Sequence, residues 1–235
     1  MVPFSFCGEE MLLVDGGAQA GAGRGASALF WPREQALLVA DLHLEKASFF
    51  ARTGQMLPPY DSRETLDRLA AAVRVTGARR VFALGDNFHD SHGPARLEPR
   101  AAGMLAALTR ALDWVWITGN HDPHLGEEAG GTRVDALMLG GLALRHQAMP
   151  GTCEAEVSGH FHPRLIVAAR GRRIARPCAV RGGNRLILPA YGALTGGMNA
   201  GDPAIVGALQ PADAIEALVP AQGRLVRFPL WQKAA

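Results

Sequence analysis

Five short motifs along the chain carry residue types that can hold divalent cations: Asp41-Leu42-His43, Gly85-Asp86, Gly119-Asn120-His121-Asp122, His146 and Gly159-His160-Phe161-His162. They use five of the eight histidines. Hydrolysis of a phosphate ester at neutral pH is the chemistry such a set serves. It uses two cations about 3.5–4 Å apart, held by oxygen and imidazole ligands. Asp41 and His43 alternate, as do His160 and His162, and alternate side chains at the end of a strand share a face. Either pair can therefore reach one ion. Asp86 has two oxygens and can bridge two cations, although an Asp leaving a strand also serves as a helix cap or Asx-turn. Asn120 offers a neutral carbonyl oxygen. None of these signals is specific alone; their conjunction in this order is.

These residues must be brought together from distant points, and the hydrophobic pattern says how. Short apolar runs at 37–40, 81–84 and 114–117 read as strands, and further strands are expected at 142–145 and 154–157. Each ends just before a candidate ligand. In open α/β sheets the C-terminal strand edge is where ligands gather. Residues 1–35 read as a strand, a Gly/Ala-rich turn from Gly16 to Gly25, and a second strand through 28–31. Asp61-Ser62-Arg63-Glu64 looks like a helix N-cap with a carboxylate three residues on. Leu66, Leu69 and Val73 follow at helical spacing, and Gly77 closes that helix. A second helix is expected over 97–112, with Met104, Leu105 and Leu108 on one face. Beyond residue 164 the pattern turns to strands at 165–169, 173–180, 185–188, 205–209 and 224–228. Strand–helix alternation predicts parallel pairing in the first half, and the β-rich second half predicts a second sheet packed on the first.

Bulk properties set outer limits. The chain has 235 residues, 48% of them hydrophobic, and a formal net charge of +2. That supports a sizeable core and says little about partners. Cys7, Cys153 and Cys178 are an odd, widely spaced set without a CxxC pair, which fits a reducing cytoplasm better than a disulfide framework or a zinc ribbon. The start of the chain lacks the basic and apolar regions of a signal peptide. No apolar run reaches the roughly 18–20 residues needed to span a bilayer. A cytoplasmic enzyme with no membrane partner is expected.

With those residues in place, the chain resembles the calcineurin-like metallophosphoesterases, whose pattern D-x-H, G-D, G-N-H-D/E, H, G-H-x-H it carries in full between residues 41 and 162. The resemblance implies a four-layer α/β/β/α sandwich with two mixed β-sheets, residues 1–235 forming a single domain. It also implies two divalent ions. Asp41, His43, Asp86 and His162 would hold one; Asp86, Asn120, His146 and His160 would hold the other, with Asp86 as the bridge. Mn²⁺ is the expectation, Fe and Zn²⁺ the alternatives; the mixed O/N set does not choose. His121, beside a ligand but outside the set, is the candidate general acid. Asp122 either orients it or caps the following turn.

Two details narrow the resemblance. Many relatives read G-D-x-x-D, whereas this chain has Gly85-Asp86-Asn87-Phe88-His89-Asp90. That resembles the DNA-repair nucleases of the SbcD kind and makes His89 a candidate second catalytic imidazole; the plain alternative is a turn histidine. Residues 188–197, Leu-Pro-Ala-Tyr-Gly-Ala-Leu-Thr-Gly-Gly, together with the extended motifs up to Pro163, resemble the ligase-associated DNA damage response endonucleases. Thr195 is there a candidate phosphate donor. Partnership with an ATP-dependent DNA ligase and a helicase is what that family implies.

Seven arginines and no Asp or Glu lie between Arg164 and Arg185. A stripe of one sign beside the site would track a nucleic-acid backbone, with Arg164, Arg172 and Arg173 as its contacts. The alternative is a solvated hairpin in an arginine-rich protein. The expected activity is a Mn²⁺-dependent phosphodiesterase acting on DNA without sequence preference, as a repair endonuclease. A small-molecule phosphodiesterase or nucleotide pyrophosphatase on the same binuclear site is the second reading, and a scaffold without chemistry the third.

Overall fold

A computed structural model of the chain describes residues 1–15, 27–169 and 171–234. The strands are β1 (Val2–Phe6), β2 (Glu9–Asp15), β3 (Ser27–Trp31), β4 (Ala36–Val39), β5 (Arg80–Leu84), β6 (Asp113–Ile117), β7 (Thr132–Val134), β8 (Ala136–Leu139), β9 (Leu142–Arg145), β10 (Ala155–Ser158), β11 (Arg164–Ala169), β12 (Arg172–Pro177), β13 (Ala179–Gly182), β14 (Arg185–Ile187), β15 (Ala214–Ala221) and β16 (Arg224–Gln232). The helices are α1 (Lys46–Ala51), α2 (Asp61–Thr76), α3 (Pro99–Ala111) and α4 (Pro203–Ala208).

Two seven-stranded mixed sheets form the body, one in the order β1-β2-β3-β4-β5-β6-β7, the other β16-β15-β13-β14-β10-β9-β8. Parallel pairing runs β4–β5–β6–β7 in the first and β9–β10–β14 in the second. The sheets pack face to face over Leu29, Trp31, Leu38, Phe82, Leu144, Val157 and Leu186. On the outer face of the first sheet, α2 and α3 set Leu66, Leu69 and Leu105 against Leu37, Val39 and Trp116. Burying each such leucine stabilises the fold by about 1.5–3 kcal/mol. The outermost layer on the second sheet is thin: α4 and the β11–β12 hairpin cover Val180, Ile187 and Ala217.

The helix ends explain themselves locally. Gly77 takes a left-handed conformation (φ 69°) and its amide bonds Val73 O at 2.9 Å, closing α2. Glu98 caps α3 through Arg100 N and Ala101 N, with Pro99 following, so the helix begins two residues later than its apolar spacing suggests.

Several expectations are corrected. Asp61 is not the cap of α2: Tyr60 holds that position, and Asp61 Oδ2 accepts from Ala47 N at 3.1 Å, tying α2 to α1. Residues 205–209 are not a strand. Asp202 caps Ala204 N at 2.9 Å and Pro203 starts α4, a start signal that outweighs the β-branched Ile205-Val206 pair. The single strand expected over 173–180 is two, β12 ending at Pro177, which has no amide for the ladder. The single N-terminal strand is the hairpin β1–β2, turned at Cys7 and Gly8 (φ 49° and 83°). The Gly16 to Gly25 turn lies outside the described residues.

Candidate metal centre

β4, β5, β6, β9 and β10 run out into loops on one edge of the two sheets, and these loops carry Asp41 and His43, Asp86, Asn120, His146, and His160 and His162 in turn. The sheets are stitched together at that edge by a parallel bridge between Ala40 and Ala190 and by the Tyr191 amide on Ala40 O (2.8 Å). The loops after β4 and β5 are zipped to each other: Asp41 N bonds Gly85 O, His43 N bonds Asp86 O, and His89 N bonds Leu44 O. Five candidate ligands sit in the left-handed region, Asp41 (φ 52°), His43 (43°), Asp86 (49°), His160 (74°) and His162 (48°). Such backbone costs about 1–3 kcal/mol per non-glycine residue and persists only where the surroundings fix it. Gly119 shows how tight the packing is, since a Cβ there would meet the Asp86 amide nitrogen at 2.1 Å.

The side chains converge in two groups that share Asp86. Donor atoms of Asp41, His43, Asp86 and His162 lie within 4.8 Å of one another, as do those of Asp86, His146 and His160. His43 Nε2 is 3.4 Å from His162 Nε2 and 3.7 Å from Asp86 Oδ2; His162 Nε2 is 3.4 Å from Asp41 Oδ1. Asn120 Oδ1 lies 3.0 Å from His146 Nε2 and 3.1 Å from His160 Nδ1. These contacts are the observation that fits a cation. His146 Nδ1 donates to Leu84 O (3.0 Å), so in the neutral ring that binds metal the Nε2 lone pair faces the Asn120 oxygen. Two acceptors at this separation repel unless a positive ion lies between them. The set offers imidazole nitrogen and carboxylate or amide oxygen and no thiolate, which suits divalent first-row metals. Burial, and then the neighbouring imidazoles of His162 and His121, push His43 down to about 2. Burial and His146 lower His160 too. Both stay neutral, the form that binds metal.

Further imidazoles stand beside this set. His121 N donates to Asp86 Oδ1 at 2.9 Å, fixing the bridge candidate from outside the donor groups. The ring is partly exposed; its Nδ1 donates to His89 O at 2.9 Å, leaving Nε2 4.0 Å from Asp86 Oδ2. The His89 carbonyl, not Asp122, therefore orients His121. Asp122 is fully buried and spends both oxygens on backbone: Gly119 N (3.0 Å), Asn87 N (2.9 Å) and Phe88 N (3.1 Å). It ties the third motif to the second, and burial raises its carboxyl to about 6. His89 packs against the half-buried rings of Phe49 (4.6 Å between centroids) and Phe50 (5.2 Å) from α1. Burial, then His121 and Lys46, push it down to about 4. Lys46 closes the extended Asp41–Lys46 motif, whereas Phe49 and Phe50 were not singled out by sequence; their one signal is to follow directly on that motif. His92 and His124 are exposed.

The arginine stripe separates into unlike parts. Arg185 is buried, paired with Glu156 (3.2 Å) and bonded to Met149 O and Thr152 O. Arg181 pairs with Glu216. Neither belongs to a nucleic-acid surface. Arg170 lies outside the described residues. Arg164 stands at the base of the β11–β12 hairpin, two residues after His162, while Arg172 and Arg173 sit at its tip, about 17 Å farther along at ordinary strand rise. Register puts Arg173 on the face of Arg164, and Arg172 on the opposite face with Leu165 and Val167. Residues 188–197 brace the centre from behind: a Cβ on Gly192 would meet Leu42 O at 2.2 Å, and one on Gly197 would meet His162 O at 2.3 Å. Thr195 Oγ1 lies 3.5 Å from Asp41 O.

A sequence profile described as calcineurin-like phosphoesterase matches residues 35–164. No curated protein matches the chain. Among solved structures, a Pseudomonas putida nuclease MPE is 26% identical, with a TM-score of 0.68 over 92% of this chain and 95% of that one. The phosphoesterase Yfce from E. coli is 15% identical, with a TM-score of 0.39 over 83% of this chain and 98% of that one.

Proposed function

The chain belongs to the calcineurin-like phosphoesterase family, and from that premise we propose that it is a binuclear phosphodiesterase that cuts DNA. The family makes it a hydrolase of phosphoesters; the substrate and the residue roles are our reading. Asp41, His43, Asp86 and His162 hold one divalent ion, and Asp86, Asn120, His146 and His160 the other. When bound, such ions draw charge from a phosphoryl oxygen and bring the pKa of water from about 15.7 towards 7. The chain supplies the rest. His121, anchored through Nδ1 to the His89 carbonyl, presents Nε2 at the open side and gives its proton to the leaving oxygen. His89, buried between two phenyl rings and His121, is the second imidazole. Asp122 acts through the loops it ties, as a positioning residue.

The observation that carries the substrate is the likeness to the Pseudomonas putida nuclease along nearly the whole chain. Arg164 and Arg173 on one hairpin face support it as phosphate contacts, with Thr195 nearby; Arg172, on the other face, is a weaker contact. The ligase-associated resemblance extends the reading to Mn²⁺ as the working ion, to a role in cytoplasmic DNA repair beside an ATP-dependent ligase and a helicase, and to one domain over residues 1–235. The test is chelated protein assayed with Mn²⁺, Mg²⁺ or Zn²⁺ on linear single-stranded, nicked and circular DNA, with Asp86→Ala as control. Metal-rescued cleavage that disappears in the control is expected. Hydrolysis of an aryl phosphodiester or a dinucleoside pyrophosphate without any DNA cleavage would favour the small-molecule reading.

A further inference from the structure

We propose that the cavity beside His162 is an anion subsite that holds a second phosphate of the bound strand, clasped between Arg68 and Arg164; this rests on the nuclease reading and deepens it. The cavity measures about 180 Å³ and is bounded by Arg68, His162, Arg164, Thr195 and the bare backbone at Gly192 and Gly196. Among the described residues, no carboxylate lines it. Its volume falls below the ~300–1,000 Å³ of sites for drug-sized ligands. It therefore suits a phosphate group better than a whole nucleotide. Sharing His162 with the candidate centre places it next to the scissile position along a strand.

The arginines are built in. The Arg68 side chain is only 9% exposed, and its Nε finds no acceptor among the described residues. The same holds for the buried Nε of Arg164. Both arginines line the cavity, where a phosphate oxygen accepts charge-assisted hydrogen bonds from guanidinium nitrogens. The buried Tyr191 hydroxyl, close enough to feel the Arg68 charge, also lacks a partner among the described residues. Arg164 is held in place at both its backbone groups, N to Met198 O (2.9 Å) and O from Ala200 N (2.8 Å). The Gly197 backbone packs on its aliphatic stem, where a Cβ would meet Arg164 Cγ and Cδ at 2.7 Å. One group opposes an anion. Glu64, one helical turn before Arg68 and with its side chain 44% exposed, pairs with one Arg68 nitrogen. Glu64 therefore competes with the ligand, which gives the proposal a test of opposite sign.

The first measurement uses inorganic phosphate on EDTA-treated protein, read by calorimetry or ³¹P NMR, so that bound metal does not contribute. Arg68→Gln should weaken phosphate about tenfold or more, the loss of one charge-assisted contact. Glu64→Gln, at an exposed position, should tighten it; circular dichroism checks that both variants fold. The second measurement compares kcat/KM with Mn²⁺ for a dinucleotide, which has one phosphodiester, and a trinucleotide, which has two. Wild-type protein should prefer the second; Arg68→Gln should erase the preference and Glu64→Gln enlarge it. An unchanged preference and unchanged phosphate affinity in both variants overturn the subsite while leaving the nuclease reading intact. Hydrolysis of an aryl phosphodiester with no cleavage of either oligonucleotide overturns the nuclease reading, and with it the second-phosphate assignment, whatever the phosphate titration shows.

Discussion

At the scale of single residues, the ligand candidates were legible because each motif is contiguous and ends a strand. Their supporting contacts were not. The oxygens that orient His146 and His121 are the carbonyls of Leu84 and His89, distant in sequence and blind to side-chain type. Arg181 and Arg185 looked free because their carboxylate partners, Glu216 and Glu156, lie far away along the chain. Arg68 gave no signal, since its helix carries no motif. If His121 protonates the leaving group, His121→Ala loses about 10²–10⁴-fold in kcat on DNA. It should lose little on bis(p-nitrophenyl) phosphate, whose leaving group needs no proton; equal losses on both would remove the role. His43 gives a pH prediction. Its folded value near 2 lies below its ordinary 6.5, so below pH 6.5 the unfolded chain takes a proton that the folded one refuses. Metal-stripped protein is therefore most stable above that pH and weakens as pH falls, by about 1.4 kcal/mol per unit for this residue. Urea melts of EDTA-treated protein between pH 7.5 and 5 measure it, and a flat profile contradicts it.

At the scale of elements, strands buried on both faces were readable because their apolar runs are short and bounded by polar or turn residues. α4 was misread because two β-branched residues outweighed a proline-led start in the pattern. The 188–197 segment shows a limit of another kind. Its glycines are recognisable, but what they approach is the backbone of Asp41, Leu42 and His162, which only the assembled sheets reveal. The segment acts on the centre from behind, so disturbing it should move ligands without removing one. Gly192→Ala should lower Mn²⁺ affinity about 10–100-fold, the range seen when support around a metal ligand is lost. A metal titration followed by activity and by differential scanning fluorimetry reads this; unchanged affinity would reduce the segment to a plain turn.

At the scale of the whole molecule, two sheets of equal size pack face to face, and neither holds the full donor set. The first sheet supplies Asp41, His43, Asp86 and Asn120; the second supplies His146, His160 and His162. Docking of the sheets is therefore a precondition of the site, and buried polar groups in the second sheet matter to it indirectly. Glu156 and Arg185 are fully buried together, with Arg145 as a further partner of Glu156. Arg185→Met leaves a buried carboxylate partly unpaired and should cost about 3 kcal/mol of stability. Chemical denaturation gives the number. DNA affinity of the folded fraction should not change, which separates this arginine from Arg164 at the hairpin base.

The left-handed backbone at Asp41, His43, Asp86, His160 and His162 has a consequence for the history of such a sequence. A glycine at any of these positions would relieve local strain of about 1–3 kcal/mol, so discarding a ligand is partly rewarded by stability. A lineage that had stopped using the centre would drift downhill and lose it within few substitutions. Loss of the centre would therefore show first as glycines at these five places, each raising stability while lowering metal affinity.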